Sequence, residues 1–262
     1  MQMPTGLFLG TVALLMSMTS TSAYAAPTDA EMVAMLKAID DRQMNNGDYK
    51  STVYLEQKER GKQDTAFEVV VYRRDADDKL MILFSKPKAE AGKGYLRIDK
   101  NLFMYDPSVG KWERRTERER IAGTDSRRQD FDESRLAIEY TPKFVEEKKL
   151  GVYDTYHLQL TAKDGVDVAF PQVNMYIDKA TGNMLKREDK AVSGKLLRTT
   201  LYPKWKKLYS ESKKADVYIA GEVRIFDEVE KGNSTLVIIQ ETDLRPLDAN
   251  LFTKAWLEAK SR

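Results

Sequence analysis

The one histidine of the chain, His157, is the first candidate for acid–base chemistry. A serine hydrolase needs its histidine held between a serine and a carboxylate. If VYDTYHLQL forms a strand, Asp154 lies on the face opposite His157, and the chain has no G-x-S-x-G sequence. We therefore expect a surface histidine and no catalytic residues. The enzyme alternative is a lipid esterase that uses Ser126 or Ser134.

The composition offers little for a metal site or a cofactor. With no cysteine and one histidine, zinc sites built from thiolates or from two histidines are excluded. The carboxylates of Asp75, Asp77 and Asp78 lack the loop glycine and the distal glutamate of an EF-hand. They are interpreted as part of a hairpin turn. We expect neither a metal nor a cofactor.

Arginines are concentrated between residues 111 and 128, where acidic residues nearly balance them. Runs of mixed charge are usually solvated faces with internal pairing. A planar guanidinium can also bind two oxygens of a phosphate at once. The functional interpretation is a docking edge for anionic headgroups or for a partner protein, formed by Arg114, Arg115, Arg118 and Arg120.

Two groups of apolar residues are candidates for the wall of a lipid-binding cavity. Both groups are also compatible with an ordinary core, and a cavity follows only if the helices are too few to cover the sheet. The first group recurs at helical spacing near the start of the mature chain: Met32, Met35, Leu36 and Ile39. The second group belongs to predicted strands: Phe67, Val69, Val71, Ile82, Phe84, Leu96, Phe103 and Tyr105.

The elements that would position these residues are mostly short strands. The pattern predicts a helix from Thr28 to Arg42, with Thr28 and Asp29 as caps, and a final helix from Asp248 to Lys260. Period-two alternation fills most of the rest, except for residues 115–147, where Asp130 to Tyr140 is expected to hold a short helix.

A sheet of about a dozen strands curls or splits, because strands twist. The expected fold is therefore mainly β with a few helices (α+β). We predict a curved antiparallel sheet or unclosed β-barrel, with a helical lid over a hydrophobic cavity.

The ends and the charge of the chain bear on its compartment and its partners. Residues 1–25 resemble a cleavable signal peptide with cleavage after Ala25, although no Lys or Arg precedes the apolar run. The prediction is one domain, residues 26–262, in a bacterial periplasm. The net charge of 43 − 41 = +2 argues against a strongly cationic nucleic-acid binder.

Three segments carry a resemblance to a known family: GDYKSTVYLEQKERG, ERIAGTDSRRQDFDESRL, and GNSTLVIIQETDLRPLDANLFTKAWLEAK. Together they resemble the LolA-like outer-membrane lipoprotein-sorting proteins, as a divergent branch, over residues 26–262. The most specific part is a glycine followed by an aromatic–acidic–leucine segment, at Gly123, Phe131, Asp132 and Leu136.

The resemblance implies an unclosed barrel with helices over a hydrophobic cavity. It implies a periplasmic carrier of lipid or acylated lipoprotein, which receives cargo from an inner-membrane transporter and delivers it to an outer-membrane acceptor. We expect a monomer. The alternatives are the esterase and a non-catalytic adaptor of a membrane export system, which would have a filled interior.

Overall fold

One antiparallel sheet dominates the computed structural model, which describes residues 26–99, 101–116, 120–126, 130 and 134–261. Three α-helices accompany the sheet: α1 (Asp29–Gln43), α2 (Leu136–Glu139) and α3 (Lys254–Lys260). The thirteen strands are β1 (Asp48–Lys58), β2 (Thr65–Arg74), β3 (Lys79–Lys86), β4 (Gly94–Ile98), β5 (Asn101–Asp106), β6 (Lys111–Arg115), β7 (Tyr140–Leu150), β8 (Tyr153–Ala162), β9 (Gln172–Asp178), β10 (Met184–Lys190), β11 (Leu196–Ser210), β12 (Ala215–Asp227) and β13 (Ser234–Asp243).

The sheet consists of two meanders joined at their ends. Strands β1 to β6 follow one another, strands β7 to β13 do the same, and β13 pairs with β1. The order β6-β5-β4-β3-β2-β1-β13-β12-β11-β10-β9-β8-β7 leaves β6 and β7 as free edges, so the sheet is not closed. The predicted mainly β fold with an open antiparallel sheet is confirmed. Among the described residues, no helix combines the length and the apolar character needed to cross a bilayer.

The predicted N-terminal helix is present as α1, and its first turn shows why it begins there. The hydroxyl of Thr28 accepts from the backbone N–H of Glu31, and the Glu31 carboxylate accepts from the backbone N–H of Thr28 at 2.7 Å. Such a reciprocal pair satisfies amide groups that have no partner inside the helix. The helix ends at Gln43, and Asn46 then adopts a left-handed conformation (φ 62°) before β1.

Two boundaries differ from the predictions. The predicted final helix from Asp248 is shorter, because Thr253 caps it and α3 begins only at Lys254. Residues 115–147, predicted to lack strands, contain most of β7. β7 lies at an edge and carries charges on both faces, so it lacks the alternation that marks a half-buried strand.

The register divides the sheet into two faces with separate apolar clusters. We call the face that contacts α1 the inner face and the face that contacts α3 the outer face. The first inner cluster, on β1–β5, β12 and β13, includes Val53, Leu55, Phe67, Val69, Val71, Leu80, Ile82, Phe84, Tyr95, Leu102, Ile225 and Val237. The second inner cluster joins α1 and α2 to β7–β10: Met32, Leu36, Ile39, Leu136, Tyr140, Leu158, Leu160, Phe170, Val173, Met175, Ile177 and Met184.

The outer face carries an apolar cluster where the C-terminal segment covers it. There Met81 and Leu96 pack against Leu251, Phe252 and Leu257. Successive residues of β3 alternate between the first inner cluster and this outer cluster, as expected for a strand covered on both sides. The inner face is therefore the larger apolar surface, and among the described residues α1, α2 and short connecting segments cover it.

Candidate functional site

The helix α1 is the main cover of the second inner cluster. Its buried residues are Met32, Leu36 and Ile39, whose exposed fractions are 3%, 0% and 2%. Met35 is partly buried against the same cluster. The four helix residues predicted to contact lipid therefore lie between α1 and the sheet. They are in contact with protein in this structure, and their role toward lipid stays a prediction.

Polar contacts fix α1 mainly near its C-terminal end. The Asp40 carboxylate accepts from the backbone N–H groups of Leu136 and Ala137, at 2.9 and 2.8 Å, and thereby caps α2. Arg42 donates to the Thr181 carbonyl at 2.7 Å, in the turn between β9 and β10. Asp29, Ala30 and Glu31 at the start of α1 are exposed. The helix is thus held at one end by hydrogen bonds and along its length by apolar contacts.

A second cover is the segment Arg120–Ser126, which lies over the first inner cluster. Ile121 is 2% exposed and packs into that cluster. Asp125 anchors the segment, because its backbone N–H donates to Gln57 at 3.1 Å and to Thr235 at 2.8 Å. The Arg120 guanidinium bridges the Asp125 carboxylate at 3.2 Å and the Asp227 carboxylate at 2.8 Å.

Asp125 sits in an unfavourable environment for a charge. Its side chain is 3% exposed. Burial raises the pKa of Asp125 above its usual value, although hydrogen bonding to Gln57 and the Arg120 guanidinium lower it. The anchor of this cover is therefore a carboxylate whose charged form is destabilised by the fold.

A chain of charges, of which Asp189 and Arg198 are buried, crosses the inner face next to this cover. Asp189 accepts from Arg187 at 2.5 Å and from Arg198 at 2.8 Å. Arg198 also donates to Asp130 at 2.8 Å. Burial alone would raise the pKa of Asp189, but the two guanidinium groups outweigh it and hold the pKa below its usual range. These four groups form two balanced ion pairs within a largely apolar surface.

The polar groups form a row, because the register places them on adjacent strands. Asp227 of β12 is opposite Arg198 of β11, which is opposite Asp189 of β10. Gln57 of β1 is opposite Thr235 of β13. We call this inward-facing set the polar row: Gln57, Thr235, Asp227, Arg198 and Asp189. Arg120, Asp125 and Asp130, which follow one another along the chain, all bind it.

Two open grooves lie near the place where β12 and β13 separate. Their pairing ends at Glu222 and Ile238, and beyond it the Lys206 ammonium donates to the carbonyls of Ile239 and Gln240 at 2.5 and 3.0 Å. The larger groove, about 690 Å³, is lined by Pro203, Lys204, Trp205, Lys206, Gly221, Glu222, Ile238, Ile239 and Gln240. The second, about 530 Å³, is lined by Lys50, Thr52, Glu241, Thr242, Asp243 and Arg245. Neither groove is lined by a residue predicted to bind lipid.

The eight strand residues predicted to line one cavity wall occupy both faces of the sheet. Five of them belong to the first inner cluster: Phe67, Val69, Val71, Ile82 and Phe84. Leu96, Phe103 and Tyr105 lie on the outer face instead. Leu96 packs in the outer cluster, and the Lys254 ammonium of α3 lies 4.9 Å from the centre of the Phe103 ring. The eight residues therefore do not share one face, because the register places Leu96 opposite Met81 and Phe103, on the face away from Ile82. Lipid binding by any of them stays a prediction.

The arginines predicted as a docking edge do not behave as one set. Arg114 is exposed on β6. Arg115 donates to Glu113 on the same strand at 2.8 Å. Arg120 is engaged within the fold, and Arg118 lies outside the described residues. Docking through Arg114 and Arg115 stays a prediction.

The candidates for hydrolysis are not brought together. The prediction of a surface histidine is wrong: His157 is 8% exposed and stacks on Tyr176 with ring centres 4.4 Å apart. It lies on the outer face, whereas Ser134 donates to Asp40 of α1 at 2.6 Å on the inner side. Ser126 is 1% exposed. Within the described ranges there is also no cluster of His, Asp and Glu arranged to hold a metal ion.

Sequence reasoning did not identify the polar row as a site. Asp125, Asp189 and Arg198 cannot be distinguished by residue type from the many other charged residues of the chain. Several of their partners are also distant in sequence. One available signal is alternation within β11, where Arg198 and Thr200 take inward positions on the face of Ile225. A charge at an inward position of a strand is unusual unless it is paired.

Comparison with known proteins agrees with this architecture. The model of a family described as "Uncharacterized protein" matches residues 76–259. No curated protein matches the chain. A solved outer membrane lipoprotein-sorting protein domain from Vibrio parahaemolyticus is 18% identical, with a TM-score of 0.72, over 86% of this chain and 97% of its own.

Two further solved structures are similar. A LolA superfamily protein from Nitrosomonas europaea is 19% identical with a TM-score of 0.69, over 85% of this chain and 97% of its own. A DUF1329 family protein from Desulfovibrio piger is 16% identical with a TM-score of 0.75, over 87% of this chain and 98% of its own. The chain thus belongs to the family described as "Uncharacterized protein", whose model covers residues 76–259, and its fold is LolA-like.

Proposed function

We propose that the protein is a periplasmic carrier that shields lipid, or the acyl chains of lipoproteins, on its apolar inner face for transfer toward the outer membrane. The observation that carries the proposal is the second inner cluster. On the sheet side it is a broad apolar surface, and the helix α1 is its main cover. A solved protein of the same fold is described as a lipoprotein-sorting domain.

The energetics of carriage suit such a surface. Each methylene group removed from water contributes about 0.8 kcal/mol, so an acyl chain does not cross an aqueous compartment unshielded. In this structure α1 occupies the place that the acyl chain would take. Movement of α1 would expose Leu158, Leu160 and Met175 to the cargo. Methionines such as Met32 and Met35 can adapt to chains of different shape.

The proposal includes a location and partners. Residues 1–25, which lie outside the described residues, would direct export and be removed after Ala25, leaving one carrier domain of residues 26–262. An inner-membrane transporter would supply the cargo, and an outer-membrane acceptor would receive it. Docking through Arg114 and Arg115 belongs to this proposal.

A second candidate is a non-catalytic adaptor of a membrane export system. The observation that favours it is that the residues predicted to line a cavity are packed against protein. Leu36, Val69 and Leu96, for example, are each 0% exposed. An adaptor needs no movement of α1 and no bound lipid.

Native mass spectrometry and lipid extraction separate the two functions. The protein is purified from the periplasm of its own bacterium, together with Met35→Asp, Leu36→Asp and the matched control Ala38→Asp, whose position on α1 is exposed. A carrier retains lipid in the wild type and in the control, and loses it in the two variants that face the sheet. Retention of lipid by a folded Met35→Asp protein would contradict the role of α1. Absence of lipid from the wild type favours the adaptor.

A further inference from the structure

The ion pairs that adjoin the polar row are not formed by the sheet alone. Arg187, Asp189 and Arg198 belong to β10 and β11, whereas Asp130 lies in the connection between β6 and β7. The Asp130 side chain is 23% exposed, against 7% for Arg198 and 0% for Asp189. The one carboxylate that does not belong to the sheet is therefore the most accessible of these three groups.

Charge balance makes Asp130 a replaceable partner. Without Asp130, the inward-facing charges described on β10 and β11 are the two guanidinium groups of Arg187 and Arg198 and the one carboxylate of Asp189. A net positive charge beside apolar groups is unfavourable unless another anion compensates it. The Arg198 guanidinium also stacks over the Phe170 ring, with its Cζ 4.9 Å from the ring centre. An anion that enters the interior would thus find a site already formed.

A buried hydroxyl group lies at the same place. Thr200 is 2% exposed, and its Oγ1 makes no hydrogen bond within the part of the chain that the structure describes. Thr200 is opposite Arg187 on β10 and two residues from Arg198 on β11, on the same face. Buried hydroxyls are normally hydrogen-bonded, so we expect the Thr200 hydroxyl to bond to a ligand. A ligand oxygen held by the two arginines would supply that hydrogen bond.

We propose that Arg198, Arg187 and Thr200 bind the anionic headgroup of an amphiphile, a carboxylate or phosphate group, and that Asp130 occupies this position in the absence of ligand. The tail would lie along the second inner cluster, which includes Phe170. The inference rests on the proposed carrier function and adds the class of headgroup. It assigns to Asp130 the part of an internal competitor.

Binding of three probes to residues 26–262 tests the assignment. Hexadecanoate has the tail and the anion, 1-hexadecanol has the tail alone, and inorganic phosphate has the anion alone. We expect hexadecanoate to bind about tenfold more tightly than hexadecanol, and phosphate to bind far more weakly than either, because charge-assisted hydrogen bonds add to burial of the tail.

Three variants separate the roles. Asp130→Asn removes the competitor and should tighten hexadecanoate binding by about tenfold without changing hexadecanol binding. Thr200→Val keeps the shape of the side chain and should weaken hexadecanoate binding several-fold. The control Asp243→Asn makes the same change of charge at the far end of β13, in the exposed pair with Arg245, and should leave all three affinities unchanged. Circular dichroism confirms that each variant is folded.

Each contrary result has its own meaning. Equal affinities for hexadecanoate and hexadecanol would overturn the headgroup site and leave the carrier function standing. Weaker hexadecanoate binding by a folded Asp130→Asn protein would make Asp130 a structural partner of Arg198, and the inference would be wrong. Phosphate binding as tight as that of hexadecanoate would identify a free anion as the ligand. Failure of both amphiphiles to bind would overturn the inference together with the carrier function.

Discussion

At the scale of single residues, the segment Arg120–Ser126 depends on one carboxylate. Asp125 connects the segment to β1 and β13, and it is destabilised in its charged form because it is buried. Its hydrogen bonds use the backbone N–H as well as the carboxylate, so a neutral side chain would keep part of the anchor. The negative charge of Asp125 therefore lowers the stability of the folded state.

The pH dependence of stability should show this destabilisation by the charge of Asp125. The folded state raises the pKa of Asp125 above its usual 3.8, so it binds more protons than the unfolded state in the window above that value. The contribution of Asp125 therefore falls as the pH rises through this window. We expect Asp125→Asn to remove the fall, measured as the free energy of unfolding from about pH 3 to pH 7.

Asp243 provides a control of opposite sign. Hydrogen bonds from Arg245 lower the pKa of Asp243 to about 2, so its contribution is present above 3.8 and is lost as the pH falls toward 2. Asp243→Asn should therefore remove stability that grows with pH. If both variants changed the pH profile in the same direction, the assigned environment of Asp125 would be wrong.

At the scale of elements, the link between α1 and α2 is the contact most relevant to movement of the helix. Asp40 caps α2 from a distance of 96 residues along the chain. Asp41, the next residue, has a side chain that is 72% exposed and an ion pair with Lys213. Asp40 thus binds backbone amides of α2, whereas the adjacent Asp41 forms an exposed ion pair.

We expect Asp40→Ala to lower the free energy of unfolding by about 1–2 kcal/mol, as for the loss of a helix cap. Asp41→Ala should cost less than about 1 kcal/mol, because it removes an exposed ion pair. Denaturant unfolding measures both values. Hydrogen exchange at the amides of Leu136 and Ala137 should accelerate only in Asp40→Ala. Equal losses in the two variants would show that α1 does not depend on this cap.

The same elements show what the sequence predicts and what it leaves open. Apolar periodicity and capping residues predicted α1 well, since both signals are local. Apolar periodicity did not predict β7, because an edge strand with two polar faces shows no alternation of apolar and polar residues. The burial of His157 follows from its cross-strand neighbour Tyr176, 19 residues away, and the ion pairs of Arg198 join strands and a connection. Contacts of this kind depend on register, which periodicity alone does not determine.

At the scale of the whole molecule, the two faces of the sheet carry different covers and different tryptophans. Trp205 lies at the second inner cluster and donates to the Met184 carbonyl at 2.9 Å. The other two tryptophans lie at the outer cluster, where Trp112 donates to Glu258 at 2.6 Å and Trp256 packs edge-on against Tyr72. The chain therefore contains a natural reporter for each face.

A ligand on the inner face should change the fluorescence of Trp205 and leave that of the other two unchanged. We expect the double variant Trp112→Phe/Trp256→Phe to respond to hexadecanoate with a shift in emission, because the surroundings of Trp205 change when α1 yields to the tail. The matched variant Trp205→Phe, which keeps the two outer tryptophans, should bind the same ligand without a shift. A shift in Trp205→Phe would place the ligand under α3 or indicate a rearrangement of the entire sheet, and either result would contradict a carrier whose inner face opens on its own.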